Sequence, residues 1–122
     1  MRTLLNNRDF EREVLYNEKL VVVEFFLEWC GTSHIIAQIL RKVEAQYEDR
    51  VQFYRVDKDQ NRELCKQYGV YEIPTILFFK GGGVADEING GFPRSLIEQK
   101  LDRLLQIDED AVTDAQLYEA RN

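Results

Sequence analysis

An apolar run, Leu20-Val21-Val22-Val23-Glu24-Phe25-Phe26-Leu27, stops at Glu28-Trp29-Cys30-Gly31-Thr32-Ser33, and a helical pattern begins straight afterwards. Alternation of polar and apolar residues disappears when a strand is covered on both faces, so the run reads as a central strand. From Gly31 to about Tyr47 the apolar residues Ile35, Ile36, Ile39, Leu40, Val43 and Tyr47 recur on one helical stripe. A buried strand feeding an amphipathic helix restricts the chain to α/β architectures. It also sets one thiol, Cys30, at the start of that helix.

The flanking segments extend the pattern. Arg2 to Leu5 reads as a short first strand, and Asn7 as the cap of a helix carrying Phe10, Val14 and Leu15. Val51 to Val56 is expected to be a third strand. Asn61 is expected to cap a short helix with Leu64, Cys65 and Tyr68, which Gly69 ends in a left-handed turn. Thr75 to Phe79 and Val84 to Ile88 form a hairpin around Lys80-Gly81-Gly82-Gly83. Pro93 is suited to open a last helix, with Ile97, Leu101, Leu104 and Leu105 on one face. Parallel crossovers followed by a hairpin imply a mixed sheet flanked by helices on both faces. Residues 1–107 read as one domain and 108–122 as an acidic extension, beginning Asp108-Glu109-Asp110.

A net charge of −6 disfavours nucleic acid and anionic membrane surfaces, both of which need basic patches. No apolar run approaches membrane-spanning length. The N-terminus lacks the apolar core of a signal peptide, so a cytoplasmic location is expected. Two cysteines and one histidine, far apart apart from Cys30 and His34, give no metal-ligand spacing, and no Gly-rich phosphate loop is present. Neither a metal nor a cofactor is expected.

Cys30 is therefore the centre of any chemistry. Unpaired N–H groups and the dipole at a helix N-terminus favour an anion, which lowers a thiol pKa and raises the thiolate fraction. A dithiol redox motif would place its second cysteine three positions on, where Ser33 stands. A hydroxyl neither attacks nor leaves as sulfur does, but it can donate a hydrogen bond to the Cys30 thiolate. His34, four residues on, is either a proton shuttle or an exposed helix residue. Glu24, inside the apolar strand, should have its pKa raised by desolvation. Cys65 reads as a buried apolar thiol, since a disulfide to Cys30 needs Cα atoms within about 7 Å and the two lie on separate elements.

These residues carry a family resemblance. Trp29-Cys30-Gly31-Thr32-Ser33 resembles the Trp-Cys-Gly-Pro-Cys site of thioredoxins. Val22 to Phe26, Asp57-Lys58-Asp59-Gln60-Asn61, Tyr68-Gly69-Val70-Tyr71-Glu72-Ile73-Pro74-Thr75 and Gly90-Gly91 resemble the family's other signatures, over about residues 3–106. The resemblance implies a thioredoxin-like fold. It implies a cis Ile73–Pro74 bond near Cys30 and a peptide groove formed by Trp29, Gly31, Thr32, Ile73, Pro74, Gly90 and Gly91. It puts Glu24 where the family has a buried Asp that accepts a proton from the resolving cysteine, with Arg55 as a possible ion-pair partner. Ser33, Thr32 and Gln38 depart from the family pattern, and without a proline at Gln38 the helix should run straighter. The implied activity is thiol–disulfide exchange on protein or glutathione disulfides through Cys30 alone, with an external thiol reductant, by a monomer or a weak dimer. Two other readings stay open. One is a non-catalytic binding module. The other is a dithiol thioredoxin whose resolving cysteine was exchanged for serine by design.

Overall fold

The computed structural model describes residues 1–106. Chain order is β1 (Arg2–Leu4), α1 (Asn7–Phe10) continuing into a π-helical turn (Glu11–Leu15), β2 (Leu20–Phe26), α2 (Gly31–Gln46), β3 (Val51–Asp57), α3 (Arg62–Gln67), β4 (Thr75–Lys80), β5 (Gly83–Asn89) and α4 (94–106). The sheet order is β1-β3-β2-β4-β5. β1 and β2 run parallel to β3, and β4 runs antiparallel to both β2 and β5. The expected mixed sheet with helices on both faces is the fold observed.

β2 lies at the centre, and all seven of its residues are buried. Its side chains divide by parity, as a pleated strand requires. Leu20 and Val22 join Ile36, Leu40 and Val43 of α2 and Ile97 and Leu101 of α4 on one face. Val21, Val23 and Phe25 join Phe10, Val14 and Leu64 on the other. Glu24 shares the parity of Val22, so it points toward α2. Arg55 on β3 is its register partner.

Local chemistry moves some boundaries. Asn6, not Asn7, caps α1: it is extended (φ −157°), and its side-chain oxygen accepts from the Asp9 N–H at 2.9 Å. Asn61 precedes α3 as expected, but its side chain donates to the Asp57 carbonyl at 3.0 Å instead of capping the helix. Pro93 stands just outside α4, and the Leu96 N–H bonds its carbonyl at 3.1 Å. The hairpin turn is Gly81-Gly82, with φ of 58° and 84°, the left-handed pair that matches strand twist. At Gly82 a Cβ would also stand 3.0 Å from the Leu15 carbonyl oxygen. The acidic extension expected at 108–122 lies outside the described residues.

Candidate active site

The end of β2 and the start of α2 deliver Cys30. Leu27 to Trp29 turn the chain, the Cys30 N–H bonds the Leu27 carbonyl at 3.1 Å, and Cys30 takes an extended conformation at the N-cap of α2. α2 then runs 16 residues without a break, as the absence of a proline at Gln38 predicts. Its first turn holds no acidic residue, so its N-terminal N–H groups are left to an anion at Cys30.

Ser33 sets the state of that thiol. The Ser33 backbone N–H and then its hydroxyl hold the Cys30 pKa below the ordinary thiol value, and the Thr32 backbone adds to this. Burial and the charge of Glu24 oppose them and are outweighed. Ser33 is itself fully buried, and its oxygen lies 3.5 Å from the Leu27 N–H. A hydroxyl accepting there still has its proton to donate to the sulfur.

Glu24 lies beneath this turn, fully buried. Its Oε1 accepts from Arg55 Nε at 2.8 Å, and the Arg55 guanidinium stacks over the Phe26 ring at 3.7 Å. Glu24 Oε2 and Arg55 Nη2 have no hydrogen-bond partner among the described residues. Burial raises the Glu24 pKa, and the pull of Arg55 offsets it only in part. His34 is exposed, and its Nε2 lies 2.7 Å from the Glu28 carbonyl. A carbonyl only accepts, so Nε2 carries the proton and is engaged by the loop before Cys30.

Of the residues expected to form a groove, Trp29 and Ile73 line a cleft of about 680 Å³ together with Cys30. Trp29 and Tyr71 are each 75% exposed, so both rings are open to a partner. The Ile73–Pro74 bond is cis, and the Gly90 N–H bonds the Pro74 carbonyl at 2.8 Å. A Cβ on Gly91 would meet Thr32 Cγ2 at 3.6 Å. Gly90 has a φ of 78°, a conformation costly for other residues. Gly31 has open space around its Cα.

Further residues that sequence reasoning did not assign to the site line the cleft, among them the charged Lys58, Asp59, Arg62 and Lys66 and the aromatic Tyr71. A signal existed, since Lys58, Arg62 and Lys66 recur every four residues. Cys65 also lines the cleft, although it is only 1% exposed and burial pushes its thiol pKa up. Both cysteines are free thiols. Among the described residues there is no cluster of three or more metal-ligating side chains, and no helix long and apolar enough to cross a membrane.

The comparisons with known proteins agree with this geometry. The family model described as Thioredoxin matches residues 2–103. Thioredoxin 1 of Nostoc sp. is 34% identical over 96 residues, covering 79% of this chain and 90% of that protein. The chloroplastic Thioredoxin M4 of Arabidopsis thaliana is 31% identical over 101 residues, covering 83% of this chain and 52% of that protein. The X-ray structure of Fasciola hepatica thioredoxin superposes with a TM-score of 0.77 at 32% identity, covering 84% of this chain and 98% of that one.

Proposed function

This chain belongs to the thioredoxin family of thiol–disulfide oxidoreductases, and from that premise we propose that it exchanges disulfides through Cys30 alone. The observation that carries the reading is Ser33. At the position of a second thiol stands a buried serine whose backbone N–H and then hydroxyl lower the Cys30 pKa, and whose oxygen cannot resolve a mixed disulfide.

The chemistry follows. The Cys30 thiolate attacks one sulfur of a protein disulfide. A Cys30–substrate S–S bond forms, and the other substrate sulfur leaves as a thiolate and takes a proton from water. A glutathione thiolate then attacks the Cys30 sulfur and releases the substrate thiol. A second glutathione attacks the Cys30–glutathione bond, which returns Cys30 and yields glutathione disulfide. The substrate disulfide has gained two electrons and two glutathiones have lost them. When the substrate is itself glutathionylated, only the last step is needed after transfer to Cys30. When the substrate carries a further thiol, that thiol can resolve the adduct and the net reaction is isomerisation.

In this reading Trp29, Ile73, Pro74, Thr32, Gly31, Gly90 and Gly91 hold the extended substrate backbone around the sulfur. Glu24 has no thiol at residue 33 to deprotonate. Its contact with Arg55 supports a positioning role beneath α2. A reducing compartment such as the cytoplasm suits a protein that draws on glutathione. A monomer suffices for every step, and oxidation can join two copies weakly through Cys30.

Mass spectrometry of the intact chain tests the proposal. Incubation with disulfide-bonded insulin is expected to give an adduct on Cys30 that glutathione releases, and Cys30→Ser should give none. Release that leaves the chain two hydrogens lighter, with an internal Cys30 disulfide, would contradict single-thiol exchange.

A further inference from the structure

We propose that the cleft beside Cys30 selects polypeptide disulfides whose target cysteine is flanked by acidic residues, with Lys58, Arg62 and Lys66 as the reading groups. The inference rests on Cys30 being the exchanging thiol and names the substrate class of that site.

The chain as a whole carries −6, yet the cleft is lined by three cations and one acid, Asp59. Arg62 and Lys66 stand one turn apart on the same side of α3. Lys58 donates through Nζ to the Tyr71 carbonyl at 2.8 Å, a neutral acceptor that leaves its charge uncompensated. Arg62 reaches Asp59 at only 3.4 Å with 79% of its side chain exposed, and such surface pairs bind weakly. Lys66 is exposed and has no ion pair among the described residues. Exposed Trp29 and Tyr71 add aromatic surface for a peptide backbone beside these charges.

Screening decides which charges a partner feels. A cleft of about 680 Å³ is about as wide as the Debye length at physiological salt, roughly 8 Å. Cations inside it act on a bound peptide, while the acidic surface beyond is largely screened. Charge complementarity of this kind sets association rate and partner choice.

The test uses the full chain and three synthetic peptides, each with one cysteine activated as a thiopyridyl disulfide and flanked by Asp, Ser or Lys. Release of the neutral thiopyridone reports mixed-disulfide formation at Cys30. Each rate is divided by the same protein's rate with neutral iodoacetamide, which removes differences in thiolate content. At roughly 0.15 M salt the Asp peptide is expected to react about tenfold faster than the Lys peptide, and the gap should narrow at about 0.5 M. Arg62→Gln with Lys66→Gln should erase most of the order, and Arg62→Glu with Lys66→Glu should invert it. Equal rates for the three peptides, or an order that survives charge reversal, would overturn the proposal. Failure of Cys30 to react with the peptides and iodoacetamide alike would overturn the single-thiol reading, and the selectivity with it.

Discussion

Ser33→Cys is expected to raise the rate of insulin-disulfide reduction by roughly two to three orders of magnitude. Under single-thiol exchange, reduction of a mixed disulfide waits for an external thiol. A thiol at residue 33 stands in the first turn of α2, where the Ser33 hydroxyl already bears on the Cys30 sulfur. Even an effective molarity of about 1 M, far below the best-oriented intramolecular reactions, would outpace roughly 1 mM external thiol by about 10³. The substitution is structurally mild. It weakens one long contact, from the Leu27 N–H at 3.5 Å, worth about 1 kcal/mol or less. It also brings Glu24 a thiol to deprotonate, since burial holds its carboxyl pKa above the usual range. The check is turnover under a fixed dithiothreitol supply, with the native chain and Cys30→Ser alongside. A Ser33→Cys protein no faster than the native chain would mean that Cys30 is not positioned for exchange.

Glu24→Leu is expected to be the most damaging single substitution for stability. Glu24 is fully buried, and the Arg55 side chain is 10% exposed. Removing the carboxylate leaves a guanidinium in a low-dielectric layer without its partner, at a cost of about 3–5 kcal/mol. Stacking on Phe26 at 3.7 Å returns part of this, so the lower end of that range is expected. A domain of this size has about 5–15 kcal/mol in all. The double substitution Glu24→Leu with Arg55→Met removes both charges and should recover most of the loss, because the pair's desolvation cancels much of its attraction. Urea unfolding of the two variants checks this, and a double variant as unstable as the single would refute it.

The same pair predicts a pH slope. Burial raises the Glu24 pKa, so the folded state keeps its proton to higher pH than the unfolded chain does. Its contribution is therefore full below the ordinary value of 4.5. It is lost as pH rises from there through the raised folded value. Glu24→Gln should flatten unfolding free energy across that window.

Most of the architecture was legible because it follows from local pattern. The unbroken apolar run of β2, the stripe on α2 and the double glycine of the hairpin each specify one element. Their order leaves few topologies. The misplacements are those of atoms that pattern does not see. Asn6 wins the cap from Asn7 through one hydrogen bond to Asp9. The turn at Glu11–Leu15 widens to a π-helix, with the Tyr16 N–H bonded to the Glu11 carbonyl at 3.1 Å, where periodicity implies an ordinary helix. Cys30 was found directly, because its place between strand and helix is written in consecutive residues. The cationic wall escapes the sequence pattern because it is assembled from the turn after β3 and from α3. Only the four-residue recurrence of Lys58, Arg62 and Lys66 hinted at it. Cys65 was read as a core thiol, and it is one, but the packing of α3 also turns it toward the cleft.

Single-thiol exchange requires Cys30 to be a poised thiolate held by Ser33. The pH dependence of Cys30 alkylation, with Cys65 changed to Ala, measures this directly. The predicted apparent pKa lies below the ordinary thiol value of about 8.5, and Ser33→Ala should move it back up toward that value by removing the hydroxyl's share. An apparent pKa at or above the ordinary value, or one that Ser33→Ala leaves in place, would contradict the account.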